Sequence, residues 1–134
     1  MHAVLLALLL SSAPSSASPV PAPVAEAPAP APTSNKWRLQ FSGAAESAGE
    51  LVFAIADDAG ARYEVSVAIE GNDGENRVAA KVRRALDREL PRGWRVERDD
   101  GEDVLVKRRL YHPRFSIVLV RSSVEDVRVG IDRE

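Results

Sequence analysis

Only one stretch of this chain has the periodicity of a helix, and it lies among segments that alternate like strands. Val78, Val82, Leu86 and Leu90 recur every four residues, with Ala79 and Ala85 beside them, as a single apolar stripe. Asn72, with Glu75 three residues on, is expected to cap the start of this helix, and Pro91 and Gly93 to stop it. Before it, Trp37-x-Leu39-x-Phe41, Leu51-x-Phe53-x-Ile55 and Tyr63-x-Val65-x-Val67-x-Ile69 place apolar side chains on one face of three strands. After it come Trp94 with Val96, Val104 to Lys107, Phe115-x-Ile117-x-Leu119, and Val127-x-Val129-x-Ile131. Asp57-Asp58-Ala59-Gly60, Gly71-Asn72-Asp73-Gly74 and Asp99-Asp100-Gly101-Glu102 supply turns between them. The order β-β-β-α-β-β-β-β implies an α+β fold: an antiparallel sheet of about six or seven strands with one helix packed on it.

No such alternation precedes Lys36. Ala3 to Leu10 is an apolar run that suits the core of a secretion signal and is too short to span the roughly 30 Å of a bilayer. Ser15-Ser16-Ala17 offers the small residues a signal peptidase reads, which places cleavage after Ala17. Ser11-Ser12-Ala13 is the rival, disfavoured by Pro14. Met1 and His2 bring no Lys or Arg, so either the α-amino group serves alone or the true start lies upstream. From Pro19 to Pro32 proline alternates with Ala and Val, a semi-rigid spacer of roughly 3 Å per residue. The expected organisation is a signal over 1–17, a tether over 18–35 and one domain over 36–134, in a secreted or periplasmic protein. With no cysteine, disulfides and thiolate zinc are excluded, and the domain rests on its hydrophobic core.

The chemistry available is narrow. Eighteen Lys and Arg face 20 Asp and Glu, for a net charge of −2, so no nucleic-acid partner is expected. Beyond the signal the one histidine is His112, which rules out a multi-histidine metal site. A nucleophilic triad would need His112 with Ser116, Ser122 or Ser123, and no Gly-x-Ser-x-Gly elbow presents a serine. Most acids sit at turns, where they cap amides, and Asp99 to Asp103 lacks the ligand spacing of a calcium loop. Neither a catalytic residue, a metal nor a cofactor is therefore expected, and a carboxylate-based hydrolase is the remaining catalytic alternative. Two basic features stand out. Lys107, Arg108, Arg109, Tyr111, His112 and Arg114 are expected in one connection between strands, with the arginines in solvent and removable at little cost to stability. Arg77, Lys81, Arg84 and Arg88 fall along one flank of the helix. Either set could grip phosphates or an acidic protein face.

From Tyr63 to Ile131 the chain resembles the β-α-β-β modules inserted in phage tail-sheath and flagellar-hook-associated proteins. The likeness is carried by Val67, Val78, Ala79, Val82, Leu86, Trp94, Val96, Gly101, Val104, Val106, Phe115 and Ile117. All are core or turn positions, so the resemblance implies a fold and not a site. The resulting expectation is an exported, non-catalytic interaction or structural module, binding a protein or an anionic envelope component. An inhibitor or immunity-type protein acting on a partner enzyme is the alternative. If residues 1–17 are a signal, intact-mass measurement of protein recovered outside the cytoplasm will show a chain beginning at or near Ser18. Full-length chain confined to the cytosol overturns the reading.

Overall fold

Each alternating run becomes a strand because one of its faces has apolar neighbours to meet. The computed structural model describes residues 31–134; the expected signal, and the tether up to Pro30, lie outside the described residues. The strands are β1 (Lys36–Ser42), β2 (Gly49–Asp57), β3 (Arg62–Ile69), β4 (Trp94–Asp99), β5 (Asp103–Arg108), β6 (Phe115–Ser122) and β7 (Arg128–Arg133), with α1 (Glu75–Glu89) after β3. This is the α+β order that the sequence implies. The strands form two antiparallel sheets, β4-β5-β1-β7 and β3-β2-β6. β1 is central to the first, pairing Leu39 with Val104 on one side and with Ile131 on the other. β2 is central to the second, pairing Phe53 with Val65 and, past a bulge at Val52/Phe53, with Leu119.

The inward faces of both sheets meet in one core. Leu39, Phe41, Leu51, Phe53, Ile55, Val104, Val106 and Phe115 are all essentially inaccessible. α1 packs against β3 and β4, adding Val78, Ala79, Val82, Ala85 and Leu86 to the same cluster. The edge strands are β4 and β7 in one sheet and β3 and β6 in the other, with β6 and β7 on the side away from α1. The chain enters through Ser34, whose amide and carbonyl both pair with Phe115 at 2.9 Å, and the Trp37 indole N–H donates to the Phe115 carbonyl at 2.8 Å. The compact unit thus begins at Ala31.

The start of the helix differs from expectation. Its N-cap is Gly74, with no side-chain cap, while Asn72 takes a left-handed backbone (φ 72°) in the turn before it. Asp73, the residue between them, is buried. Its carboxylate accepts from the Glu70 amide at 3.0 Å and from Lys81 Nζ at 2.5 Å, so it clamps the turn to the second turn of α1. Asn72 tolerates the left-handed geometry that the reversal needs, and the buried Asp73 takes the charged role.

Val82 and Leu86 are fully buried between α1 and the sheets. Val82→Asp or Leu86→Asp should therefore cost several kcal/mol, comparable to the whole stability of a small domain. Urea titration should find either variant unfolded or nearly so, and a wild-type midpoint would contradict the packing.

Candidate interaction site

The basic segment 107–114 divides into a buried base and an exposed tip. Lys107 and Arg108 belong to β5 and not to the connection. Lys107 Nζ pairs with Glu97 of β4 at 3.0 Å. Arg108 continues the inward phase of Val104 and Val106, and its guanidinium reaches Asp57, in phase with Leu51, Phe53 and Ile55 on β2. The Nη1–Oδ2 distance is 2.8 Å, and the side chains are only 10% and 3% exposed. Arg108 also lies over the Trp94 ring, with its carbon 4.4 Å from the ring centre, and donates to the Pro113 carbonyl at 3.2 Å. Trp94 in turn meets Phe115 edge to face at 4.5 Å and Tyr63 at 6.1 Å. Arg108 is thus a structural residue linking the two sheets.

Burial pushes the Asp57 carboxyl up, but the Ala61 amide, Arg108 and the Ala59 amide together hold it below the usual carboxylate range. Asp73 follows the same logic: burial raises it, and Lys81 and the Glu70 amide outweigh that.

Above this base the chain turns through Arg109–Arg114. The Arg109 amide donates to the Gly93 carbonyl, the His112 amide to the Arg109 carbonyl, and the Asp58 amide to the Arg114 carbonyl. The His112 ring lies against Gly93, where an added Cβ would stand 3.2 Å from Cε1 and where φ is +101°. That position needs glycine both for conformation and for room. At the summit Leu110 is 78% exposed and Tyr111 fully so, with Tyr111 in the left-handed region at φ 72°. Arg109 and Arg114 flank them, exposed, and neither forms an ion pair among the described residues. Of the six residues read from the sequence, Arg109, Tyr111, His112 and Arg114 come together at the tip.

The basic flank of the helix is not left free throughout. Lys81 sits between Asp73 and Glu70, Arg77 approaches Asp73 at 3.9 Å, and Arg88 touches only its neighbour Glu89. Arg84 forms no ion pair among the described residues. A cleft of about 300 Å³ runs between α1 and β3, lined by Lys81, Arg84 and Arg88 on one wall and Ser66, Ala68 and Glu70 on the other.

Two acids of the 99–103 turn, Asp99 and Asp103, are engaged by one arginine. Arg38, on the outer face of β1, takes Asp99 at 3.0 Å and Asp103 at 2.7 Å and also holds Glu134. Among the described residues no group of three or more acids and histidines is arranged to hold a metal ion. Glu46 faces Asp126, and the hydrogen bond and charge of that neighbour push its carboxyl up. Both are exposed, and the α1–β3 cleft is lined by other residues. No helix among the described residues is long and apolar enough to cross a membrane. No family model matches the chain, and no curated protein matches it.

Sequence reasoning missed Asp57 and Trp94 as partners of Arg108, although the strand phase of all three pointed inward. Removing one member of a buried pair typically costs about 3–5 kcal/mol, so Arg108→Ser should strongly lower the urea midpoint. Arg109→Ser and Arg114→Ser should each stay within about 0.5 kcal/mol of wild type. The carboxylates of Asp57 and Asp73 have folded pKa values below their unfolded ones. Their contribution is therefore fully present above the unfolded value of about 3.9 and lost as pH falls through the folded values. Urea midpoints should hold between pH 7 and pH 5 and drop below about pH 4. In the Asp57→Asn variant that acid-side drop should be smaller.

Proposed function

We propose that the protein is an exported, non-catalytic interaction module that grips an anionic partner, a protein or an envelope polymer, through the 109–114 tip. The observation that carries this reading is the solvent-exposed pair Leu110 and Tyr111, set between Arg109 and Arg114 on a braced base. A non-glycine residue in the left-handed region costs roughly 1–2 kcal/mol, and Tyr111 recovers none of it by burial. Glycine or asparagine would make the same turn more cheaply. An aromatic held there serves something outside the fold, and Tyr with Arg is the composition that dominates binding hot spots. The apolar run before Ser18 and the proline-rich spacer support export and a domain held away from an attachment point. The bracing by Arg108, Gly93 and Pro113 favours a second reading, an inhibitor that inserts the same preorganised tip into a partner enzyme.

The test separates binding from folding. Tyr111→Gly should leave stability unchanged or raise it by up to about 1 kcal/mol, because it removes the strained conformation. Combined with Leu110→Ser it should abolish capture of the partner from an envelope extract. Wild-type capture should weaken when salt rises, because exposed charges are screened beyond roughly 10 Å at 0.1 M. Capture by the double variant equal to wild type would remove the tip from consideration. Stoichiometric inhibition of a co-exported enzyme, lost in the same variant, would select the second reading.

A further inference from the structure

Among the described residues β3 pairs with β2 alone, so its other edge carries backbone groups with no strand partner there, and that edge borders the cleft beside α1. The two walls of the cleft are matched at one end and mismatched at the other. Glu70 meets Lys81 at 3.8 Å, and Lys81 is further satisfied by Asp73. Beyond this point the helix offers Arg84 and Arg88, while the exposed side chains on the facing wall are the small Ala68 and Ser66, with Glu64 of the same strand face outside the cleft lining. At this end of the cleft Arg84 forms no ion pair among the described residues and Arg88 touches only its own neighbour Glu89, with no acid from the facing wall. Natural sheet edges are blunted by lysine, proline, bulges or a covering element. Along Ser66–Ala68 this edge has none of the first three, and the helix stands off far enough to leave about 300 Å³.

The spacing selects what fits. Arg84 and Arg88 are four residues apart on a helix, about 6 Å along its axis. Alternate residues of an extended chain are about 6.8 Å apart. We propose that this cleft accepts an extended acidic segment of a partner protein, added as a strand to the edge of β3, with carboxylates at alternate residues paired to Arg84 and Arg88. Main-chain hydrogen bonds to β3 hold the segment, and the two arginines set its charge and register. The tip at 109–114 plays no part in this site.

The probe is a fluorescein-labelled peptide alternating Glu and Val, titrated against the full protein. Saturable binding is expected, with slowed amide hydrogen exchange at residues 64–69 and none at 116–121. Arg84→Glu with Arg88→Glu should weaken binding by well over tenfold, since two charge-assisted contacts become repulsive. Ala68→Glu supplies the missing acid from within the chain. It should weaken the peptide by roughly tenfold while leaving the fold intact, judged by an unchanged or raised urea midpoint. A peptide of equal composition with its Glu residues adjacent, and the alternating peptide N-methylated at every second residue, should both bind more weakly. No saturable binding overturns the proposal. So does equal binding by the N-methylated peptide or by inorganic polyphosphate, either of which would make the flank a charge patch without strand addition.

Discussion

The ion pair between Asp57 and Arg108 joins the two sheets, and the end of the molecule that carries the tip is organised around it. The Asp57 carboxylate closes β2, the Arg108 guanidinium closes β5, and Trp94 of β4 covers the pair from one side. Apolar faces can slide over one another at little cost, whereas a buried charge has one acceptable partner in one place. Where the pair sits, the relative placement of β2 and β5 is specified. So is the point from which the chain leaves one sheet and crosses to the other. The tip inherits its rigidity from that specification, because its first and last residues flank the pair.

Much of the fold was legible because alternation is a local property. The phase of Leu51, Phe53 and Ile55, or of Val104 and Val106, follows from neighbouring residues alone, and so does the stripe on α1. The division into two sheets was not legible in the same way. β1 takes its partners from β5 and β7, so its pairing is decided by segments far along the chain. Inside the site the failure was of another kind. Asp57 and Arg108 carry the inward phase of their strands, yet as charged residues beside Gly- and Pro-containing turns they read as solvent-facing. Parity was the better guide at both positions, since a charge can occupy an inward position when its counter-charge arrives from the other sheet.

The two basic features show how differently a similar composition can be used. On the outer face of the four-stranded sheet Arg38 is surrounded by Asp99, Asp103 and Glu134, and Lys107 by Glu97. Beside α1 the acids are rationed: Asp73 and Glu70, ahead of the helix, engage Arg77 and Lys81, Arg88 touches only Glu89, and Arg84 forms no ion pair among the described residues. Nothing in the spacing of the basic residues alone distinguishes these cases. The difference lies in what the facing strand supplies, and that depends on pairing.

The pairing of Ser34 with Phe115 has a mechanical consequence. A pull on the chain at Ala31 is delivered first to those two hydrogen bonds, and next to the one from the Arg108 amide to the Asn35 carbonyl. The point where tension enters and the base of the tip are therefore the same corner of the molecule. The path from Ala31 to the base of the tip runs through strand ends, by way of Ser34, Asn35 and Arg108. Under tension at Ala31 those backbone hydrogen bonds would be loaded before the hydrophobic interior.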